Sequence, residues 1–165
     1  MIRRGSCALA LSGGDNRLQT ATDLTLSGIS TLNLGSVQQR VATATTSSGG
    51  NSIITSSGSG NLLITGALNP SGNLTFSNVT ASTGGNLRMS GGSNILTIAA
   101  GANVTVGGDA WLGTNNSGGT AITNITGGAL TVVGASRDAR DCYFNVFQSG
   151  GVVTMGALYA NQTEA

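Results

Sequence analysis

The sequence predicts an all-β fold, a single-stranded parallel β-helix (β-solenoid) of about seven coils. Three observations predict it. Short units of apolar, polar, apolar residues recur along the chain and close on Gly or another small residue. No segment repeats apolar residues at helical spacing over successive turns. The units of the C-terminal half return after about 23 to 26 residues, the length of a coil with two or three strands.

The chain opens on Met1-Ile2-Arg3-Arg4 and a short apolar run to Leu11, ended by Gly13-Gly14-Asp15. A basic-then-apolar order is shared with secretory signals, but this apolar part is too short for one. Residues 1–20 therefore read as an irregular lead-in or as a first coil. Leu24-Thr25-Leu26 and Leu32-Asn33-Leu34 are the first clear units. Their period-two alternation puts two apolar side chains on one face and a polar one on the other, as a half-buried strand requires. Gly28 and Gly35 follow them as corners, where glycine tolerates positive φ. Thr43 to Gly50 has no large apolar residue and reads as a loop.

Further units are Leu62-Leu63-Ile64, Leu74-Thr75-Phe76, Leu87-Arg88-Met89 and Leu96-Thr97-Ile98. In the N-terminal half they recur after roughly 8 to 13 residues, the spacing of successive faces of one coil. The last units are Val104-Thr105-Val106, Leu130-Thr131-Val132 and Val153-Thr154-Met155. Thr75, Thr97, Thr105, Thr131 and Thr154 all fall on the outward parity, where Thr suits a half-exposed strand. Such short strands would make a weak sandwich, and neither Asn-Gly nor Asp-Gly occurs to turn a hairpin. In a solenoid each strand pairs in parallel with its counterpart one coil above and below. Seven coils at ~4.8 Å make a rod about 30–35 Å long. Residues 1–165 read as one solenoid domain, with no boundary inside it.

Composition narrows the function. Charged residues are 8% of the chain, aromatics 4%, and the net charge is +1, so there is no basic stripe to displace counterions from a nucleic acid. Disorder usually combines low hydrophobicity with high net charge or many prolines, whereas 39% of this chain is apolar and Pro occurs once. No stretch has the length of a membrane-spanning helix, and no membrane insertion is expected. His and Lys are absent, and Cys7 and Cys142 are too far apart in sequence to suggest a metal site or an obvious disulfide. They read as small apolar residues, with a disulfide as the alternative. Asn-x-Thr triplets at Asn73, Asn78, Asn103, Asn124 and Asn161 arise by chance in so Asn-rich a chain; corner Asn is expected to form side-chain ladders between coils. Trp111, Tyr143, Phe144 and Phe147 read as core or corner fillers.

The segments Thr126 to Gly134 and Phe144 to Gly156, together with Trp111-Leu112-Gly113, resemble repeats of autotransporter-type passenger segments. Similar repeats occur in large surface proteins ending in PEP-type sorting signals. The resemblance is clearest from about Ala102 onward. It implies secretion, a right-handed β-helix and a stalk or adhesive role, with glycans or a host surface as partners. It carries over no catalytic residue. Neither a barrel nor a sorting tail occurs in the sequence, so the resemblance implies part of a longer solenoid or a fibre subunit that associates through its ends.

The one dense charge cluster is Arg137-Asp138-Ala139-Arg140-Asp141, which reads as an exposed, salt-bridged loop. The sequence predicts no catalytic residue, metal or cofactor. If the chain were a carbohydrate-active β-helix, Asp138, Asp141, Arg137, Arg140 and Asp109 would carry the chemistry, since glycoside hydrolysis needs two separated carboxylates. Gly13-Gly14-Asp15 and Gly107-Gly108-Asp109 are only fragments of the tandem calcium-binding roll repeat. Thr20-Ala21-Thr22 and Thr43-Ala44-Thr45 are the motifs of an ice-binding face but do not return at the coil interval.

Overall fold

The computed structural model describes residues 6–90, 93–112, 120–137 and 143–159, and only the backbone of residues 143–145. It is a β-solenoid, and among the described residues there is no helix. The first strands are β1 (Cys7–Ala10), β2 (Leu24–Leu26), β3 (Ile29–Asn33), β4 (Gln38–Val41) and β5 (Ala44–Thr46). Then come β6 (Asn51–Thr55), β7 (Asn61–Ile64), β8 (Leu68–Pro70), β9 (Asn73–Ser77) and β10 (Thr80–Thr83). The stack closes with β11 (Leu87–Arg88), β12 (Asn94–Ile98), β13 (Asn103–Val106), β14 (Ala110–Trp111), β15 (Thr120–Arg137) and β16 (Tyr143–Tyr159).

Every pairing is parallel, and the pairings form three faces. The first face stacks β1, β3, β6, β9 and β12 under the opening residues of β15 and β16. The second stacks β4, β7, β10 and β13 under the middles of β15 and β16. The third stacks β2, β5, β8, β11 and β14 under their ends. The first face thus has seven rungs, or about six turns, among the described residues. The expected C-terminal interval is the observed one: Val104 pairs with Leu130, and Leu130 with Val153.

Alternation does the work of core formation. Leu32, Ile54, Phe76, Ile98 and Ile125 form one inward column on the first face, all essentially buried. Val41, Ile64, Thr83, Val106 and Val132 do the same on the second. The third is narrower at Ala44, Thr46 and Ala110 and wider at Leu68, Leu87 and Met89. Burying a Leu or Ile side chain is worth about 1.5–3 kcal/mol, so each column adds up along the axis.

Two sequence expectations change here. Thr43 to Gly50 is not wholly loop, because Ala44–Thr46 is β5, paired with β2 below and β8 above. It lacks large apolar residues because the coil is narrow there. Buried Thr46 compensates by accepting the Gly72 N–H at 2.9 Å and donating to the Gly72 carbonyl at 3.2 Å. Nor do all strands stay short: β15 and β16 span 18 and 17 residues. Their pairing continues around the corners, with register shifts only between Ile125 and Thr126, Thr126 and Ala129, and Val132 and Ala135.

The corner between second and third faces is a glycine column. Gly85 donates to the Gly66 carbonyl (2.9 Å), Gly108 to Gly85 (3.1 Å) and Gly134 to Gly108 (3.1 Å). A methyl group on Gly85 would stand 2.9 Å from the Gly66 carbonyl carbon, and one on Gly134 would stand 2.8 Å from that of Gly108. Backbone meets backbone there, so neither side can yield as a flexible side chain would. Gly85→Ala is expected to destabilise the chain by about 1–3 kcal/mol. Chemical denaturation measures this; an unchanged midpoint would remove the column from the list of constraints.

Candidate functional site

Side chains also tie the rungs together, and this device accounts for Asp15, Asn73 and Asp109 among the polar residues singled out in the sequence. A carboxamide or carboxylate oxygen on one rung accepts a backbone N–H from the rung above. Asp15 accepts from Gln38 and Asn16 from Arg40, both at 2.9 Å. Asn33 accepts from Ser57 (3.1 Å), Asn73 from Ile95 (2.9 Å) and Asn86 from Asp109 (2.9 Å). Asp109 accepts in turn from Ala135 at 2.9 Å. The expected Asn ladder also exists, with Asn73 Nδ2 donating to Asn51 Oδ1 at 2.7 Å. Inside the coil, Ser30 and Ser52 hydroxyls meet at 3.0 Å.

Both Gly-Gly-Asp fragments therefore end in an inter-rung pin. Among the described residues no three His, Cys, Asp or Glu side chains converge as metal ligands. A shallow groove of about 350 Å³ on the second face is lined by Asp15, Asn16, Gln38, Arg40, Asn61 and Thr80. Asp15 and Asn16 each commit an oxygen to the backbone there.

The richest surface chemistry lies on the third face. Strand register brings Arg88 of β11 opposite Trp111 of β14, Trp111 opposite Arg137 of β15, and Arg137 opposite Tyr159 of β16. All four occupy the outward parity, because Leu87, Ala110 and Ser136 point in. The Arg88 guanidinium lies 5.3 Å from the Trp111 ring centre, and that of Arg137 lies 5.8 Å from Trp111 and 4.9 Å from Tyr159. Each such contact contributes about 0.5–1 kcal/mol at an exposed site. Asp109 Oδ2 holds Arg137 Nε at 3.1 Å from the side.

Among the described residues three buried side-chain atoms lack a hydrogen-bond partner: Trp111 Nε1 in this column, Ser136 Oγ on the inward side of the next rung, and Asn94 Oδ1 on the first face.

The structure thus joins two residues of the sequence-predicted charge set, Asp109 and Arg137. Asp138, Arg140 and Asp141 lie outside the described residues, as does Cys142; Cys7 on β1 is a free thiol. Trp111 is a correction: it is half-buried on the outer surface, not a core or corner filler. Parity was the available signal, since Ala110 and Leu112 are inward and Trp111 lies between them. Phe147 is likewise 57% exposed. The side chains of Tyr143 and Phe144 are outside the described set. Among the described side chains the aromatic that fills the core is Phe76.

The Ala135 N–H holds the Asp109 carboxyl below the usual carboxylate range; partial desolvation opposes this, and Arg137 adds to it. With the folded value lowered, the unfolded chain binds more protons between the two values, so stability rises with pH there. The contribution is complete above about pH 4 and is lost as pH falls through the folded value. Asp109→Asn keeps an oxygen for Ala135 but loses the charge. It is expected to melt below wild type near neutral pH, with the two melting temperatures converging as pH falls through the lowered folded value. A gap that ignores pH would show that the charge contributes nothing.

Among the described residues no helix is long and apolar enough to cross a membrane. No protein-family model, curated protein or solved structure matches the chain.

Proposed function

We propose that the chain is a structural and adhesive segment of a secreted or cell-surface solenoid, and that its terminal rungs dock onto further rungs. The observation that carries this is the state of the inward residues on the last rung. Leu158 stacks on buried Ser136 and faces inward, yet is 58% exposed. Val153 and Met155 continue the Leu130 and Val132 columns, respectively, but are only partly buried. At the other end Leu9, in register with fully buried Leu32, is 37% exposed. No described residue covers either layer. Open strand edges with apolar residues behind them are templates for more strand.

The autotransporter-like repeat resemblance supports export and a stalk role. Surface glycans or a host surface are the proposed partners beyond self-association; nucleic acid and membrane insertion are not proposed. We also propose that the chain is not an enzyme. Asp109 already serves a backbone amide and Arg137, a role complete without substrate.

Sedimentation over a wide concentration range tests the docking. Wild type is expected to form end-to-end assemblies as concentration rises, and Leu158→Asp to suppress them without altering the melt of the inner rungs. A monomer at every concentration would sink end docking by a second copy. Release of reducing ends from acidic or neutral polysaccharides by wild type, abolished in Asp109→Asn, would overturn the non-enzymatic reading.

A further inference from the structure

We propose that the Arg88–Trp111–Arg137–Tyr159 column is a binding site for an acidic polysaccharide, whose carboxylates are received by the outward edges of the two guanidinium groups. The inference deepens the adhesive part of the proposed function by naming its ligand class.

Geometry comes first. A guanidinium stacked on an aromatic ring spends its face on the ring and keeps its N–H edge for an anion. Trp111 stands between Arg88 and Arg137, so both cations are held by the same ring. Tyr159 holds Arg137 from the next rung. Among the described residues Asp109 engages only the Nε of Arg137, and Arg88 has no ion pair. Side chains already ordered lose less entropy on binding than free ones. The planar fork then receives a carboxylate through paired charge-assisted hydrogen bonds.

Spacing selects the ligand. Arg88 and Arg137 are two rungs apart, about 9.5 Å along the axis at the spacing of parallel strands. The disaccharide repeat of an extended 1,4-linked sugar chain is close to that length, so every second uronate turns its carboxylate to the same side. A nucleic acid carries its phosphates more densely and needs a longer cationic track than two arginines with one acidic neighbour.

The column also continues downward as a polar line. Thr25, Thr45 and Asn69 stack in register on the outward parity of the same face, below Arg88. Hydroxyl and amide groups in that line suit the hydroxyls of a linear polymer lying along the axis. Because guanidinium groups from the rungs on either side engage Trp111, the ring orders the arginines and is not itself the sugar platform.

Calorimetric titration of the full chain with polygalacturonate, a neutral glucan of similar length and duplex DNA tests the site. Polygalacturonate is expected to bind, more weakly as salt rises, and the neutral glucan not to bind. Arg88 is exposed, so Arg88→Gln should lower the melting temperature by no more than the loss of one exposed cation–π contact while weakening binding about tenfold. Arg88→Lys keeps the charge but loses the fork, and should also weaken it. Wild-type affinity in both variants, equal affinity for the glucan, or DNA binding as tight as polygalacturonate would each overturn the proposal. Sedimentation of the same samples separates the two readings: loss of end-to-end assembly with retained uronate binding counts against docking alone.

Discussion

Parallel pairing of each rung with the next is the interaction on which the rest of this molecule depends. A strand of three to five residues has too few hydrogen bonds to persist alone, and a single coil cannot bury its own inward side chains. Stacking supplies both. Leu32, Ile54, Phe76 and Ile98 are core residues because each lies directly over the one before it. A residue out of phase by one position would turn its side chain to solvent and leave a gap in the column.

That constraint explains the composition. Where backbone approaches backbone at a corner, as from Gly66 through Gly85 and Gly108 to Gly134, a side chain has no room. Beside those glycines Asn86 and Asp109 reach up to an N–H of the following rung, as Asn33 does elsewhere. The scarcity of charge follows from the same architecture. Side chains such as Asn16, Asn33, Thr46 and Asn86 are committed to backbone partners, and short neutral ones do this without the desolvation cost of an ion. Against that background the Arg88–Trp111–Arg137–Tyr159 column is the exception, since none of its four residues is needed to close a corner or fill the coil.

The fold was largely legible before any coordinates. Period-two units, corner glycines and the intervals linking Val104, Leu130 and Val153 are local signals, and each survived as a rung. The site was legible only in fragments. In the sequence Asp109 and Arg137 stand as charges that could belong together, and in the fold they meet. Trp111 departs from its expected core or corner place because parity, with Ala110 and Leu112 inward, outranks its aromatic character. Thr46 was missed because a buried Thr in a narrow coil has no apolar signature; its burial depends on Gly72 one rung above.

By itself, then, the sequence determined which residues face in, where the chain turns and that the coils stack in parallel, because alternation and glycine act over a few residues. Which outward residues share a column was decided only in the tertiary structure. The number of residues per turn varies with corner length, so Arg88, Trp111, Arg137 and Tyr159 recur at no fixed interval. Their alignment is set by how each rung seats its apolar residues on the rung below.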